Sequence, residues 1–453
     1  MKVAGVELQG ARVAVLGLAK SGLGAVSLLR AQGALVTAGD GKPFAFLEES
    51  VQAALAGIRF VPQADDPTLG QDLVVLSPGV PDDLDIVVAA RKRGTPVIGE
   101  LELASYYLTG PIIGVTGSNG KTTCTALIGH ILRHSGIDAI VGGNIGIPPS
   151  ALVGASNEDT WLVLELSSFQ LETASNFSAK IGVCLNVTPD HLDRHKTMEA
   201  YSGAKGRLFA TQRDDGFAVL NADDETCTGY SALTRGWPVW FSLERTVAPG
   251  VYVQDGVIVL DGEPVMPVSG IPLRGRHNVQ NVLAAAAAAH LAGATLEQIA
   301  AAVRTFPGVE HRLEFVRDRA GVAWYNDSKA TNVDAALKAV EAFDNRLWII
   351  LGGKDKDGDY TPLAEALRGH VAGALLIGSA AEKIAVQLQG IPQVACGTME
   401  AAVAHAARHA RQDDVVVLAP ACASFDQFNS YEHRGRVFKD LVRALDGGTE
   451  RRK

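Results

Sequence analysis

The chain has 453 residues, which at roughly 150 residues per domain predicts about three domains and excludes a small disulfide-stapled scaffold. Hydrophobic residues make up 47% and charged residues 20%, which is typical of a folded protein and not of a disordered one. The 41 basic and 50 acidic residues give a net charge of −9, which excludes a broad phosphate-neutralising surface. We therefore expect no nucleic-acid partner.

The cysteines are scattered at positions 124, 184, 227, 396 and 422 without any CxxC pair. An odd number at such spacings encodes neither a disulfide framework nor a zinc ribbon and favours a reducing compartment. The N-terminus lacks an apolar leader with a cleavage site, and the longest apolar run, 282–289, is too short to cross a bilayer. We expect a cytoplasmic protein with no membrane insertion.

Residues 1–99 alternate short apolar runs with amphipathic stretches, which predicts a parallel sheet of βαβ units. The turn Gly-Leu-Ala-Lys-Ser-Gly-Leu-Gly at 17–24 follows one apolar run, and Asp40 ends the next. The spacing approaches the dinucleotide fingerprint, but Ala19 replaces the second glycine, where the pyrophosphate would approach the backbone, and this disfavours NAD. The residues alone leave open a nucleotide site or a purely structural turn.

A second α/β unit begins near Gly110 with an apolar strand at 112–115, a glycine-rich turn, and a helix predicted over 121–134. The amides of this turn and the helix N-terminus can cradle phosphates, Lys121 can reach the β- and γ-phosphates, and the Thr122 hydroxyl can ligate Mg²⁺. The strict pattern requires glycine at 115, but here the first glycine lies at 117. The candidate ATP-binding residues of this turn are Gly117, Ser118, Asn119, Gly120, Lys121, Thr122 and Thr123.

Two candidate metal ligands follow apolar strands in the same unit. Glu165 ends the run 162–165, and His191 lies in the polar segment after 181–185. The residues alone leave open a cation ligand or a buried salt bridge for Glu165, and a ligand or a solvated loop histidine for His191. The spacing of His191 and His195 suggests a zinc helix, which we discount because Pro189 fits a turn and no third ligand is evident.

The remaining elements complete the predicted architecture. Short strands with turn signals between 217 and 265 predict a small antiparallel insertion, and alanine-rich helices are predicted over 277–291 and 296–305. From 322 the βα rhythm returns, with strands at 347–351, 374–377 and 415–418. We predict an α/β fold of three domains: Rossmann-like over 1–99, a P-loop mononucleotide-binding domain with the antiparallel insertion over 100–309, and Rossmann-like over 310–453.

Three polar loops of the last domain, 326–332, 352–356 and 419–428, each follow an apolar strand. Open α/β sheets bind ligands beyond the carboxyl ends of their strands, so these loops predict a site at one edge of the sheet.

Taken together, the motifs resemble those of the Mur ligase family, ATP-dependent enzymes that add amino acids to the UDP-linked peptidoglycan precursor, and most closely the branch that adds D-glutamate. The matches run through all three predicted domains and comprise 77–79, 114–123, 142–146, 165–171, His277-Asn278, His311-Arg312 and 326–332. In this family the carboxylate of the substrate attacks the γ-phosphate of ATP to form an acyl phosphate, and the amino group of the incoming amino acid then displaces phosphate. The resemblance implies ATP and Mg²⁺ as cofactors, small-molecule substrates and a monomer.

The resemblance also implies roles for individual residues. Lys121 and Thr122 would hold ATP and Mg²⁺, Glu165 one magnesium ion, and His191 a second. Asn278 would contact adenine, Arg312 the phosphates and Asp327 the ribose, with Lys329 near the reacting groups. Lys205, which the residues alone predict to be an exposed helical lysine, matches the lysine that the family carbamylates, and would become a metal ligand in that form.

The substrate pockets follow from the same resemblance. The positions matched to the UDP-linked substrate are Lys20, Ser21, Asp40, Lys42, Ser77, Gly79, Asn144 and His191. Those matched to D-glutamate are Thr331, Lys356, Ser424 and Tyr431. Leu-Thr is familiar in place of Lys20-Ser21, arginine in place of Lys42, and phenylalanine in place of Tyr431, so the pocket contacts differ in chemistry from the best-known pattern.

Three other functions share some of these features. A folylpolyglutamate synthase-like ligase has the same P-loop and C-terminal layout, but its substrate lacks UDP, which the first domain disfavours. An NAD-dependent oxidoreductase would use 17–24, and cofactor fluorescence would identify it. A regulatory protein that hydrolyses ATP without ligation would release phosphate independently of any amino acid.

Overall fold

The computed structural model describes residues 2–355 and 358–445. The chain divides into two compact units, one formed by Met1–Ile271 with Val279–Phe306 and the other by Pro272–Asn278 with Pro307–Lys453. In the described ranges, no helix combines the length and the apolar character that crossing a membrane requires. The cysteines are free thiols.

The first unit begins with a hairpin and a five-stranded sheet. The strands are β1 (Lys2–Val3), β2 (Val6–Glu7), β3 (Arg12–Leu16), β4 (Leu35–Gly39), β5 (Arg59–Phe60), β6 (Leu73–Leu76) and β7 (Val97–Gly99). The helices are α1 (Lys20–Ala31), α2 (Glu49–Ala54), α3 (Asp85–Lys92) and α4 (Glu100–Ser105). β1 and β2 pair antiparallel, and the sheet is parallel in the order β5-β4-β3-β6-β7.

Strand β3 shows why the strands of this sheet appear in the sequence as uninterrupted apolar runs. Val13 and Val15 pack into one core cluster, and Ala14 and Leu16 pack into another on the opposite face. Because both faces are covered, each position of the strand favours an apolar side chain, as is usual for parallel sheets. The predicted βαβ architecture is confirmed here.

The rest of the first unit contains a nine-stranded sheet. Its strands are β8 (Ile112–Thr116), β9 (Ala139–Gly143), β10 (Trp161–Glu165), β11 (Ile181–Cys184), β12 (Phe217–Asn221), β13 (Trp237–Ser242), β14 (Gly250–Gln254), β15 (Val257–Leu260) and β16 (Glu263–Pro267). Its helices are α5 (Lys121–His134), α6 (Ser168–Leu171), α7 (Leu192–His195), α8 (Met198–Ala210), α9 (Glu225–Gly229), α10 (Arg276–Leu291) and α11 (Leu296–Thr305), of which α10 has its first three residues in the second unit. The order is β16-β15-β14-β13-β12-β11-β8-β10-β9.

The antiparallel part of this sheet is narrower than the sequence predicted. β14, β15 and β16 pair antiparallel, and Asp255-Gly256 forms the turn between the first two. β12 and β13, which lie in the same predicted insertion, instead pair in parallel with their neighbours and continue the main sheet. Short strands with turn residues between them do not distinguish a hairpin from a short parallel crossover, which explains the difference.

The second unit contains a six-stranded sheet. Its strands are β17 (Glu314–Arg319), β18 (Val322–Asn326), β19 (Leu347–Gly352), β20 (Val371–Ile377), β21 (Gln393–Gly397) and β22 (Val415–Leu418). They lie in the order β17-β18-β22-β19-β20-β21. The helices are α12 (Val333–Glu341), α13 (Thr361–Leu367), α14 (Ala381–Gln387), α15 (Met399–His409) and α16 (Tyr431–Ala444). β17 is the antiparallel edge strand, and the other pairs are parallel.

Both faces of this sheet are buried as well. Along β19, Ile349 and Leu351 pack into one core cluster while Trp348 and Ile350 pack into another. The carboxyl ends of β18, β19 and β22, which are neighbours, carry the three polar loops that the sequence singled out.

Candidate active site

The glycine-rich turn joins β8 to α5, as the sequence predicted. Gly120 has a left-handed backbone (φ +84°), and a Cβ atom there would lie 2.3 Å from Asn281 Oδ1, so glycine is required for two reasons. Lys121 Nζ donates hydrogen bonds to the carbonyl oxygens of Gly117 and Ser118, each at 2.9 Å. The ammonium group therefore lies over the turn, at the N-terminal end of α5, where a phosphate group is favoured. Thr122 and Thr123 lie in the first helical turn and are buried.

The turn is supported by residues that the sequence analysis missed. Asn186 accepts a hydrogen bond from the Asn119 amide at 2.8 Å through Oδ1, and its own carbonyl accepts from the Ser118 amide at 2.9 Å. Ser118 Oγ donates to the Thr188 carbonyl at 2.9 Å. The only sequence signal for these contacts is that 186–188 directly follow β11, the parallel neighbour of β8.

Glu165 is the last residue of β10, beside the strand that leads into the turn. Its side chain is buried, and Oε1 accepts a hydrogen bond from Asn144 Nδ2 at 2.9 Å. Oε2 is buried and has no hydrogen-bond partner in the described part of the chain. A buried carboxylate oxygen without a partner is costly, and a bound cation would remove that cost. Glu165 therefore fits a metal ligand, and the described residues do not show the buried salt bridge that the sequence left open.

His191 and His195 differ in a way that excludes the zinc-helix interpretation. His191 precedes α7 with a left-handed backbone (φ 54°), and its side chain is 49% exposed. His195 is buried, with Nε2 2.9 Å from Ser168 Oγ and Nδ1 3.1 Å from a carboxylate oxygen of Glu172. Both nitrogens of His195 are engaged, so the two imidazoles do not form a pair of metal ligands. His191 remains open to a ligand.

Lys205 is buried, so the exposed helical lysine that the residues alone predicted is wrong. Its side chain is 1% exposed, and Nζ donates to the Gly117 carbonyl at 2.8 Å and lies 4.4 Å from the centre of the Tyr201 ring. Burial, and then the nearby charge of Lys121, lower the pKa of Lys205 to about 7. The helical spacing of Tyr201, Lys205 and Leu208 places all three on the buried face of α8, which is the signal that could have found it.

A cavity of about 520 Å³ lies at the carboxyl ends of the strands of the first sheet. Its lining includes six of the residues predicted for the UDP-linked substrate: Lys20, Ser21, Asp40, Ser77, Gly79 and Asn144. Asp40 accepts hydrogen bonds from the amides of Leu18 (2.9 Å) and Lys42 (3.0 Å), and so shapes the wall. Lys42 is exposed, and neither Lys42 nor His191 is part of the lining.

In the second unit, Arg312 lies between two residues with left-handed backbones, His311 (φ 66°) and Leu313 (φ 41°). Asp327 is buried beside it, and burial raises the pKa of Asp327 to about 7 against the opposing charge of Arg312. Asn278 is buried and donates from Nδ2 to the Arg274 carbonyl at 2.7 Å. The structure thus places Arg312 and Asp327 close together.

The segment around Arg312 is fixed by a charged cluster, Glu310, His311 and Glu314, whose ligand atoms lie within 4.8 Å of one another. Lys439 Nζ donates to Glu310 Oε1 at 2.6 Å and to Glu314 Oε1 at 2.9 Å. Because an ammonium group already neutralises both carboxylates, we interpret this cluster as structural.

Lys329 and Tyr431 meet near the start of α16. Lys329 Nζ donates to the Tyr431 hydroxyl at 3.0 Å and lies 4.1 Å from the ring centre. Ser424 is buried and Thr331 is half-buried in the neighbouring loops. Lys356, the fourth residue predicted for D-glutamate, lies outside the described residues.

Arg434, which the sequence analysis did not single out, holds these loops together. It is fully buried and donates to Ser328 Oγ at 2.9 Å, to the Ser328 carbonyl at 2.8 Å and to the Cys422 carbonyl at 3.1 Å. Burial lowers the pKa of this guanidinium to about 10, which still leaves it charged near neutral pH.

A phosphate-binding turn, a buried carboxylate oxygen open to a cation and a separate cavity on the neighbouring sheet define a nucleotide-dependent α/β enzyme that acts on a second bound substrate. Comparison with known proteins gives the family. The chain matches the Mur ligase middle domain over 115–289 and the Mur ligase glutamate ligase domain over 311–422. The chain belongs to the Mur ligase family, whose members are ATP-dependent amide-forming ligases.

Several curated relatives are similar over almost their whole length. The UDP-N-acetylmuramoylalanine–D-glutamate ligase of Solibacter usitatus is 54% identical over 97% of this chain and 99% of its own, and that of Acidobacterium capsulatum is 50% identical over 98% of both. Among solved structures, the UDP-N-acetylmuramate-alanine ligase of Thermotoga maritima matches with a TM-score of 0.61 at 21% identity, over 96% of this chain and 99% of its own. This confirms the predicted three-domain Mur ligase fold.

Proposed function

We propose that this enzyme joins D-glutamate to UDP-N-acetylmuramoyl-L-alanine, with conversion of ATP to ADP and phosphate, as a step of peptidoglycan precursor synthesis. The observation that carries the proposal is the 54% identity, over 97% of the chain, to a ligase named for that reaction. We place the reaction in the cytoplasm, where ATP is available, and expect the enzyme to act on small molecules as a monomer. We assign the UDP-linked substrate to 1–99, ATP to 100–309 and D-glutamate to 310–453.

The first step joins two anions, the substrate carboxylate and the γ-phosphate of ATP, so the site must supply positive charge. Lys121 lies over the turn and would contact the β- and γ-phosphates, while the amides at the start of α5 would hold the phosphate oxygens. Glu165 would hold one Mg²⁺ ion and His191 a second, with Thr122 and carbamylated Lys205 as further ligands. When bound, these ions would offset the charge of the phosphates and of the attacking carboxylate.

We propose that Lys205 is carbamylated, as the resemblance to the family implies, and its surroundings support this. The amine nitrogen would attack CO₂, a proton would leave, and the product would be an anionic carbamate. The reaction requires the neutral amine, and burial beside Lys121 disfavours the charged form. Lys205 and Lys121 donate to the same Gly117 carbonyl, at 2.8 and 2.9 Å, so an anion at position 205 would replace a repulsive pair of cations with an attractive pair of charges.

The second step joins the acyl phosphate to an amine, with release of phosphate. We assign the carboxylates of D-glutamate to Thr331, Lys356, Ser424 and Tyr431, and the tetrahedral intermediate to Lys329. Lys329 suits this role because it is held at Tyr431 by a hydrogen bond of 3.0 Å and by the face of the aromatic ring. Asn278, Arg312 and Asp327 would contact the nucleotide.

The test is phosphate release by the purified protein with ATP, Mg²⁺ and UDP-N-acetylmuramoyl-L-alanine, in the presence of D-glutamate, L-glutamate, L-lysine, diaminopimelate or no amino acid. We expect release, and a product of matching mass, with D-glutamate. Release with a different amino acid would retain the chemistry and contradict the assigned pocket. Release without any amino acid would indicate a simple ATPase.

Lys121→Ala tests the P-loop assignment. We expect it to lower phosphate release by at least about a hundredfold, since loss of one donor to transition-state charge has effects of that size. Lys180→Ala is the matched control, because Lys180 also donates to a carbonyl oxygen, that of Asp215 at 2.7 Å, but lies at the surface. Equal activity in the two variants would contradict the assignment.

A further inference from the structure

The loop that carries His191 is wrapped around one aromatic ring. The ring of Phe169 lies 4.9 Å from that of His191 and is stacked on that of His195 at 5.4 Å, with centroid distances in both cases. The guanidinium carbon of Arg194 lies 4.9 Å from the same ring centre. Phe169 belongs to α6, which follows β10 and therefore Glu165. The two proposed metal ligands are thus connected through a short packed segment.

Glu172, directly after α6, contacts the other side of this loop through Arg194 and His195. Arg194 Nη2 donates to Glu172 Oε2 at 2.9 Å, and His195 Nδ1 lies 3.1 Å from Glu172 Oε1. The side chains of Arg194 and Glu172 are only 15% and 17% exposed. A charged hydrogen bond that is largely shielded from water holds its geometry better than a surface ion pair does.

Arg194 also reaches the cavity of the first sheet. The same Nη2 atom donates to the Val80 carbonyl at 3.1 Å. Val80 lines the cavity together with Ser77, Gly79 and Gly17, and Ser77 Oγ donates to the Gly17 carbonyl at 2.7 Å. One guanidinium group therefore contacts both the wall of the cavity and the anchor of the loop that carries His191.

We propose that Arg194 is a positioning residue, which couples occupation of the cavity to the placement of His191. The inference rests on the proposed function, which puts the UDP-linked substrate in the cavity and one metal ion each at Glu165 and His191. A bound substrate orders the segment 77–81 and with it the Val80 carbonyl, and Arg194 transmits this order to α7. His191 needs such support because its left-handed backbone is unfavourable for a residue other than glycine.

The coupling is measurable as a change in affinity. Isothermal titration calorimetry gives the Kd of UDP-N-acetylmuramoyl-L-alanine for the full-length protein, with and without saturating Mg²⁺ and a non-hydrolysable ATP analogue. For the wild type we expect the nucleotide and metal to tighten binding about fivefold or more, the lower end of ordinary coupling between sites. The ratio to compare is the Kd without nucleotide and metal divided by the Kd with them. In Arg194→Met, which keeps an unbranched stem to pack on Phe169 but removes the hydrogen-bond donors, we expect this ratio to fall to within about twofold of one.

Two further variants make the result decisive. Arg12→Met is the matched control, because Arg12 also donates to a carboxylate, Asp72 Oδ1 at 3.0 Å, but lies exposed at the start of β3; its ratio should equal that of the wild type. Glu172→Gln keeps the Val80 contact and weakens the anchor, so it should reduce the ratio by a smaller factor. It also serves as the test if Arg194→Met does not fold.

The outcomes separate the two proposals. A wild type that binds the substrate with a ratio near one, or an Arg194→Met variant that keeps the wild-type ratio, would overturn the coupling. A lower melting temperature in Arg194→Met with an unchanged ratio would show a merely structural role and would overturn it too. Failure of the wild type to bind UDP-N-acetylmuramoyl-L-alanine at all would instead overturn the proposed function, and the inference with it.

Discussion

Glu100 is a buried carboxyl group at the start of α4, and its ionisation should limit the stability of the first unit at neutral pH. Its side chain is 1% exposed, and Oε1 accepts a hydrogen bond from the Ser150 amide at 2.7 Å. Oε2 is buried and has no partner among the residues that the structure describes. Burial raises the pKa of Glu100 to about 7, against the opposing effect of hydrogen bonding from Ser150.

The sign and size of the effect follow from linkage. Between pH 4.5 and about 7 the folded protein keeps this proton while the unfolded chain has released it, so stability falls as pH rises through that window. At about 1.4 kcal/mol per pH unit the total loss is about 3 kcal/mol, and it is complete above the folded-state pKa. Below pH 4.5 both states hold the proton, and the group contributes no pH dependence.

Glu100→Gln removes the ionisable group and retains its shape. The free energy of unfolding of the variant, relative to the wild type, should therefore increase by about 3 kcal/mol between pH 5 and pH 8. The measurement is unfolding in urea, monitored by hydrogen-exchange mass spectrometry of peptides from 99–110, which reports the difference in the unit that contains Glu100. A difference that changes by less than about 1 kcal/mol over the same interval would refute the assignment of the raised pKa to burial.

A neighbouring residue supplies the control for Glu100→Gln. Glu102 is also buried on α4, but its carboxylate oxygens accept hydrogen bonds from the amides of Ser175, Asn176 and Phe177. An amide nitrogen cannot accept such bonds, so Glu102→Gln should destabilise the protein at pH 8, whereas Glu100→Gln should stabilise it.

Three other substitutions test the site. Protein equilibrated with ¹³C-bicarbonate should show a carbamate resonance by NMR that disappears in Lys205→Arg; persistence of the resonance would move the modification elsewhere. Arg434→Lys should lower the stability of the second unit by about 2–4 kcal/mol in denaturant unfolding, since an ammonium group cannot reach all three oxygens and leaves buried acceptors unpaired. Tyr431→Phe should raise the KM for D-glutamate by less than about tenfold, because the hydroxyl assigned to a D-glutamate carboxylate is lost while Lys329 retains the ring face; an unchanged KM would mean that the hydroxyl does not contact the amino acid.

Short-range features of this chain were predictable because they are local. The bounds of α5, Lys121–His134, coincide with the prediction, since a strand, a turn with left-handed glycine and an amphipathic stretch follow one another in sequence. The contacts that stabilise the same turn were not predictable. Asn186 and Asn281 approach it from other elements, and each is an ordinary polar residue until the sheet order brings it near β8.

In both units, the burial of charged side chains could not be predicted from the sequence. Lysine is rarely buried, so composition favours an exposed Lys205, and only the spacing from Tyr201 along α8 contradicts it. Arg434 shows the same limit, because three oxygen acceptors from two loops replace the water that the sequence predicts around a charged residue. In each case the decisive information is a long-range contact, which one sequence does not contain.

These buried groups also imply that the protein without ligands is less stable than its core alone would allow. Glu165 has a buried oxygen with no hydrogen-bond partner within 2–355 and 358–445, Lys205 and Lys121 crowd one carbonyl, and Asp327 is buried deeply enough to raise its pKa to about 7. Each arrangement is unfavourable in isolation and becomes favourable when a charge of opposite sign binds. Ligands that bind only the folded state add stability in proportion to their saturation, so Mg²⁺ with a non-hydrolysable ATP analogue should raise the melting temperature of the wild type. The increase should be smaller in Glu165→Gln, in which the charge that attracts the metal is absent, and an equal increase would mean that Glu165 does not contact the metal.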